Sequence, residues 1–349
     1  MSSTKKPKQA TRADVARMAG VSESTVSYAL TGVRPISEDT RERIEDAMKT
    51  LGYVPNAMAQ ALASKKSGLL ALLFPVGERG FGETDFEYVE AATEAAAEDG
   101  YQLLLWPNAV EDTASLKKIV AQGLVEGVLL MEVRSQDPRV DVLRESGTPF
   151  CLIGRTDDSQ DLTYVDADFS QWGPMAIHHL ADLGHTNVGV ISMRNELVEA
   201  GYGPVVRTEK PLIEVANRSG VKLTIKHPKP TIRSGRQAFE ELLHEQPDIT
   251  AIIGFNEPAF IGALEIAGAR GMSIPGDLSV LSFGLSDEAA NMTVPAQTTI
   301  NVDGPELGRM AVQYLIARLN GDKKSVLQNL TQPQFFDRGS TGPAPQLRG

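Results

Sequence analysis

The sequence predicts two fold classes in one chain: an all-α helix-turn-helix head and an α/β body whose parallel sheets, flanked by helices, form two lobes. Three observations predict it. Short capped amphipathic segments fill the first fifty-odd residues. From Leu69 onward, apolar strand-like runs alternate with amphipathic helices, the pattern of parallel sheets covered on both faces. The charge also breaks between the two parts: residues 1–67 carry eleven Lys/Arg against seven Asp/Glu, while the remainder carries twenty-three against thirty-eight. A basic head on an acidic body suggests that only the head meets a polyanion.

The chain has 349 residues, enough for two or three domains, and its 42% apolar and 23% charged residues suit a globular protein with a large core. Its one cysteine, Cys151, lies in the apolar run "PFCLIG", so no disulfide can form within the chain. That fits a reducing cytosol. No signal-peptide pattern opens the sequence and no apolar run approaches the ~18 residues of a membrane span. A cytoplasmic protein without membrane contact is expected.

In the head, Thr11 caps a first helix, and Asp14 three residues on can bond back as a capping box. Val15, Met18 and Ala19 then share one face. Gly20-Val21 makes a turn, and Ser22 caps a second helix from Glu23 to Leu30, with Val26, Ala29 and Leu30 inward. Ser37 caps a third helix, with Glu38 and Asp39 at its positive end, Lys49 near its negative end and Gly52 as its stop. Ile44, Ala47, Met48 and Leu51 form its buried stripe. Three short helices with a tight turn between the first two make a helix-turn-helix, whose second helix enters the DNA major groove. The outward residues are Glu23, Ser24, Thr25, Ser27 and Tyr28, which can bond to base edges or phosphates. A three-helix protein-interaction module with a solvated polar face is the alternative.

Next comes "LGYVPNAMAQALASKKSG", with Pro55 to open a helix and "KKSG" to end it. A helix of about two turns is marginal in water because nucleation is costly. A second copy of the chain and the minor groove could hold it, with Leu62 as an apolar wedge between base steps. The plainer reading is a linker helix packed on the body, although its alanines offer little to pack.

The runs "DVARMAGVSESTVSYAL", "ISEDTRERIEDAMKTLGYVPN" and "AMAQALASKKSG" closely resemble the lactose-repressor type (LacI/GalR) family of bacterial transcription regulators. The resemblance implies that Ser24, Thr25, Ser27 and Tyr28 lie in the major groove and that Leu62 is the minor-groove wedge. The full DNA-contact set is then Thr11, Glu23, Ser24, Thr25, Ser27, Tyr28, Arg34, Asn56, Ala59 and Leu62. Its partner would be a pseudo-palindromic double-stranded operator, bound by a homodimer, with further pairing of dimers left open. Tyr28 departs from the Arg that many members carry, so a guanine contact there does not carry over.

In the body, "LLALLF", "YQLLL", "GVLLM" and "PFCLIG" read as strands, and after "LTYVDAD" the pattern repeats with "HTNVGVIS", "VKLTI", "TAIIGF" and "LSVLSF". This half resembles the family's effector domain, a type I periplasmic-binding-protein fold, through "LADLGHTNVGVIS", "GFNEPAFIGALEIAGARGMSIPGDLSV" and "VPAQTTI". That fold implies that the chain crosses between lobes more than once, so each lobe is discontinuous. The expected organisation is a DNA-binding head at 1–54, a hinge helix and linker at 55–67, an effector-binding and dimerisation domain at 68–340, and a tail at 341–349.

Ligands of open parallel sheets bind at the carboxyl ends of strands. Phe86 follows the first strand, Trp106 ends the second, and Glu132 and Arg155 follow the next two. Aromatic faces suit sugar rings or bases, while Arg and carboxylates bind hydroxyls or anions. Phe86 and Trp106 read equally well as core, and Arg155 as a surface ion pair. The resemblance adds Arg207 and Asn256 and supports Phe86. Two departures stand out: Lys210 replaces a glycine usual in the family three residues after Arg207, and Gly284 replaces the pocket aspartate after "LSVLSF". A sugar-hydroxyl contact typical of the family is thereby lost, leaving an unusual sugar or a non-sugar effector open.

Other chemistry is not indicated. "GERGFG" at 77–82 lacks the spacing and the Lys-Ser/Thr of a phosphate loop, and reads as a cleft loop. His178, His179 and His185 lie in one helix and its exit, without metal-ligand spacing. No nucleophile or metalloprotease motif appears, so no enzyme, metal or cofactor is expected. The sequence reads as a DNA-binding regulator, expected to repress, governed by a small molecule (sugar, sugar phosphate or nucleoside) between two lobes. Its rivals are a sugar-binding transport protein, which shares the body fold, and an enzyme on parallel sheets.

Overall fold

The computed structural model describes residues 10–31, 34–54, 67–75, 82–107, 109–321 and 325–345. The hinge candidates Asn56, Ala59 and Leu62, and most of "GERGFG", lie outside them. The chain divides into two compact units: one runs to Leu69 and includes Gly123–Glu126, and the other takes the remainder.

The first unit contains helices Arg12–Ala19, Glu23–Thr31 and Glu38–Leu51. Their ends follow the sequence signals. The Asp14 amide donates to the Thr11 hydroxyl at 3.3 Å, and the Thr11 amide donates back to the Asp14 carboxylate at 3.0 Å. This completes the capping box. Gly20 and Gly52 end their helices in the left-handed conformation, at φ 67° and 60°. Val15, Ala16, Ala19, Val26, Ile44 and Ala47 form the core. One expectation changes here: Met18 is 50% exposed and Ala16 is buried in its place. The inward face follows positions 15, 16 and 19, so Met18 falls one step round the helix from the contact with the third helix.

The second unit holds two six-stranded sheets. Strands β1 (Leu69–Phe74), β2 (Gln102–Pro107), β3 (Gly127–Leu130), β4 (Phe150–Ile153), β5 (Tyr164–Ala167) and β11 (Gln328–Thr331) form one, in the order β11-β5-β4-β3-β1-β2. Strands β6 (Asn187–Ile191), β7 (Lys222–Lys226), β8 (Ala251–Gly254), β9 (Ser279–Phe283), β10 (Thr298–Asn301) and β12 (Gln334–Phe336) form the other, in the order β12-β10-β9-β8-β6-β7. Central strands such as "GVLL", "FCLI" and "AIIG" are buried at every position. A strand covered by helices on both faces has no solvent side, which is why these runs do not alternate.

The chain passes between lobes three times: after β5, after β10 and between β11 and β12. Helix Gly304–Leu319, which follows β10 of the second lobe, packs on β3, β4 and β5 of the first and against helix Glu83–Glu98. Gly308 permits that approach, because a Cβ there would sit 2.4 Å from the Tyr88 carbonyl oxygen. The last three strands were not foreseen as separate elements. They are short, lie at or near sheet edges, and carry polar residues such as Gln328, Asn329 and Gln334 that blur any apolar run.

The segment expected as a tail from residue 341 is bonded to the second lobe as far as Ala344. His185 lies between the Thr250 hydroxyl (2.8 Å), the Ser279 hydroxyl (2.9 Å) and the Gly342 carbonyl (3.0 Å), and the Ala344 amide donates to the Leu183 carbonyl. Because the Gly342 carbonyl only accepts, Nε2 carries the proton and Nδ1 accepts from Thr250. Burial lowers the His185 pKa, which keeps the ring neutral in this role. His179 bonds Thr341 at 2.9 Å and packs on Phe335. Both histidines thus fasten the C-terminal segment to the second lobe.

Candidate functional site

Two sites emerge, one in each unit. In the first, the second helix presents its N-terminal turn outward. The Ser22 hydroxyl accepts the Thr25 amide at 3.1 Å and lies 2.7 Å and 2.8 Å from the hydroxyls of Ser24 and Thr25. Three hydroxyls therefore share one local network at a helix start, where the unpaired amides and the helix dipole favour anions. Ser22, Glu23 and Ser24 are exposed, while Thr25, Ser27 and Tyr28 are half-buried. Glu23 pairs with Arg12 at 3.7 Å across the helix-turn-helix. The Arg34 guanidinium stands 5.9 Å from the centre of the Tyr28 ring, a cation–π arrangement that directs the tyrosine. Thr11 is exposed, with its hydroxyl engaged by Asp14 at 2.6 Å.

In the second unit, a cleft between the lobes encloses roughly 200 Å³ open to water-sized molecules. Phe169, Trp172, Phe255 and Phe283 form its aromatic side: Trp172 lies 4.7, 6.1 and 5.8 Å from the other three ring centres, and Phe255 meets Phe283 edge-on at 5.5 Å. Such offset and edge contacts are the favoured aromatic geometries. Polar lining comes from Asp85, Glu132, Asp166, Glu257, Ser282, Gln297 and Asn301, and no Lys, Arg or His lines the cleft among the described residues. Gly284, at φ 69°, is left-handed, and a Cβ there would lie 3.5 Å from the Trp172 ring. An aspartate at this position would carry backbone strain and would meet that ring.

Asp166 lies in β5, one residue before its end, and is 3% exposed on its side chain, held by Arg155 Nε at 3.3 Å and Arg207 Nη1 at 3.4 Å. Burial pushes its carboxyl up to about 7, with Arg207 and Arg155 pulling the other way. Arg207 also donates to the Arg155 carbonyl at 2.5 Å. Arg207 belongs to the second lobe and Asp166 to the first, so the pair links the two lobes behind the cleft wall.

Of the six candidate effector residues, the cleft lining contains Glu132. Arg155 and Arg207 stand behind Asp166 rather than on the surface. Phe86 is 56% exposed, while its neighbours Thr84, Asp85 and Tyr88 line the cleft. The strand-end rule gave the correct segment there but not the helix phase. Trp106 lies on β2, the edge strand, away from the lining. Asn256 caps helix Glu257–Ala269, accepting the Ala259 amide at 3.4 Å and donating to the Pro228 carbonyl at 3.0 Å. The same rule, applied to every strand, would have reached Asp166, Phe255 and Phe283. Trp172 had no strand-end signal, because it opens a helix.

A helix-turn-helix unit joined in one chain to a two-lobed body with an interlobe cleft defines a ligand-controlled DNA-binding transcriptional regulator. Residues 11–56 match the model of bacterial regulatory proteins of the lacI family, and residues 177–341 match a periplasmic binding protein-like domain. The chain thus joins a lacI-type regulatory head to a periplasmic-binding-protein-like body. It is 29% identical over 343 residues to the HTH-type transcriptional regulator AglR of Rhizobium meliloti (strain 1021), spanning 95% of this chain and 94% of the relative. The structure is similar to that of the transcriptional regulator CelR–cellobiose complex, with a TM-score of 0.70, 26% identity, and coverage of 95% of this chain and 99% of that one. It shares its fold with the lac repressor dimer bound to operator and the anti-inducer ONPF, with a TM-score of 0.81, 23% identity, and coverage of 96% and 100%. Among the described residues, no helix is long and apolar enough to cross a membrane.

Proposed function

We propose that this chain is a repressor that binds a pseudo-palindromic operator as a homodimer, and that a neutral sugar in the cleft sets its DNA affinity. Residues 1–54 read the major groove through Ser24, Thr25, Ser27 and Tyr28, with Thr11 and Arg34 on the backbone. Residues 55–67, with Asn56, Ala59 and Leu62, reach the minor groove. One head presents too little surface for selective binding, so two heads read two half-sites. The body does not catalyse a reaction: its polar cleft residues serve recognition.

The observation that carries the ligand class is the composition of the cleft wall. Aromatic rings, among them Phe169, Trp172, Phe255 and Phe283, stand with carboxylates and amides, and no cationic side chain lines the wall among the described residues. Aromatic faces stack on the C–H faces of sugar rings, while carboxylates and amides accept and donate to hydroxyls. A phosphate would face carboxylates without a cation on the wall, which disfavours sugar phosphates and nucleotides. The relative solved with cellobiose is a neutral-sugar case on the same fold.

A thermal-shift panel of neutral mono- and oligosaccharides, sugar phosphates and nucleosides tests the class, since a cleft ligand raises the melting temperature by mass action. Neutral sugars should stabilise the protein and their phosphates should not. Stabilisation by phosphorylated sugars in preference to neutral ones would reverse the assignment. Selection from random duplex DNA should return two inverted half-sites, whereas a single unpaired site would refute the dimeric reading.

A further inference from the structure

The loop after β3 carries a backbone conformation that stands out. Glu132 has φ 55° and is the one non-glycine residue with a left-handed backbone among the described residues. Left-handed backbone is costly for a residue with a side chain, and it persists only where surroundings over-determine it. Here the surroundings are a buried arginine. Arg139 is fully buried and its Nη2 donates to the carbonyls of Met131 (3.1 Å) and Glu132 (2.9 Å). The same guanidinium grips Asp137 through Nε–Oδ1 at 2.9 Å and Nη2–Oδ2 at 2.7 Å. Asp137 in turn accepts the amides of Arg134 (3.2 Å) and Arg139 (3.0 Å). Residues 131–139 are thus closed on themselves around one charge pair.

The residues just past Glu132 fasten the two lobes together. The Ser135 amide of the first lobe donates to the Gly201 carbonyl of the second at 2.7 Å, and the Gly203 amide donates to the Val133 carbonyl at 3.2 Å. Between them, Arg134 and Tyr202 pair as an antiparallel bridge. A side chain at 203 would crowd this junction, since a Cβ would lie 3.0 Å from the Val133 oxygen and 2.7 Å from Arg207 Nη1. Arg207, four residues on, makes the cross-lobe pair with Asp166, which lines the same cleft.

We propose that Arg139 is a positioning residue that sets the left-handed turn at Glu132, so that one loop both presents Glu132 to the cleft and zips Val133–Ser135 onto Gly201–Gly203 of the other lobe. The wall that a ligand meets and the fastening that holds the lobes are then one mechanical piece. A ligand that prefers one arrangement of Glu132 shifts the lobes by its differential affinity for the zipped and unzipped states. That consequence rests on the reading that the cleft takes a ligand. The zipper does not, and its test needs neither ligand nor operator.

Hydrogen exchange on the full chain reads the zipper through two amides, Ser135 and Gly203. In the unliganded protein both should exchange at least tenfold more slowly than in an unstructured peptide. In Arg139→Met both should lose at least tenfold of that protection, while the amides of Ile252 and Ile253 in β8 and of Leu129 in β3 keep theirs. A merely structural arginine would instead lower protection across the whole lobe, β3 included. Arg139→Lys should behave like Met, because an ammonium cannot span Asp137 and two carbonyls in one plane. Should Arg139→Met fail to fold, Gly203→Ala decides: it leaves the Arg139 clamp in place and should expose the same two amides. Wild-type amides that exchange freely, or wild-type protection at both positions in a folded Arg139→Met or Gly203→Ala, would overturn the proposal.

Discussion

The helical head and the two-lobed body solve the burial problem at different scales. The head closes a core on six small or medium side chains, Val15, Ala16, Ala19, Val26, Ile44 and Ala47, with half-buried neighbours around them. The body buries whole strands, from Leu70 to Leu73 and from Phe150 to Ile153. A small unit gains little from burial and depends on each cap and each core side chain, whereas a large one spreads its stability over many contacts. The difference extends to function. The head's candidate surface is one stretch of helix, residues 22–28, whose meaning is local. The body's cleft collects Glu132, Asp166, Trp172, Phe255 and Phe283 from five separate places in the chain.

The largest effect should come from the aromatic side of the cleft. Trp172→Ala removes a ring that is 2% exposed and packed on three others, at a cost of roughly 3–5 kcal/mol in the body. Calorimetry should show the body transition falling in temperature, and the thermal shift given by a neutral sugar should vanish. Sequence-selective DNA binding at low temperature should survive. Loss of the head's helical signal in this variant would break the contrast between the two units.

Ile44→Ala is the matching change in the head. The side chain is 1% exposed, and its truncation costs roughly 2–5 kcal/mol, a large share of what so small a core supplies. DNA binding should fail while the body's melting temperature stays at its wild-type value. A body transition that moved with the head would show that the two are one cooperative unit.

Ser22→Ala should give a smaller loss. Its hydroxyl accepts the Thr25 amide and gathers the hydroxyls of Ser24 and Thr25. An N-cap is worth about 0.5–2 kcal/mol. Urea titration of the head should show that loss, and DNA affinity should fall further than stability explains, because the groove-facing hydroxyls lose their anchor.

The last effect is a pH dependence in the body. Asp166 has its carboxyl raised by burial from the ordinary 3.8 to about 7. Between about pH 4 and pH 7 the folded state therefore holds a proton that the unfolded state has released. The stabilisation from that uptake is complete below about pH 4 and is lost as pH rises through about 7. Urea midpoints from pH 5 to 8 should fall for the wild type relative to Asp166→Asn. Parallel profiles would show that the carboxylate is already ionised beside Arg155 and Arg207.

How much could be read from sequence follows the same division. The three head helices, their caps Thr11, Ser22 and Ser37 and the stop at Gly52 were legible because each signal acts within four residues. Met18 was misplaced because the choice between neighbouring faces of a short helix is settled by the partner helices, not by the pattern. In the body, eight strands were visible as apolar runs, while β5, β10, β11 and β12 were not, since short strands carrying polar residues have no clear periodicity of their own. Glu132 was reached from its place after a strand. Arg155 and Arg207 were also singled out, yet they buttress Asp166 from behind, because which of two nearby charges faces a cavity depends on packing across lobes. The left-handed turn at Glu132 had no sequence signal, since glycine usually marks such positions.

The central claim is that a small molecule in the body's cleft governs the DNA affinity of the head. The most direct measurement is the affinity of the full chain for its selected DNA duplex, by fluorescence anisotropy at fixed salt, with and without the sugar that most raises the melting temperature. A coupling of about 1–3 kcal/mol predicts a change of roughly five- to 150-fold. The direction of that change also tells an inducer from a corepressor. A sugar that stabilises the body strongly and leaves DNA affinity unchanged would contradict the account.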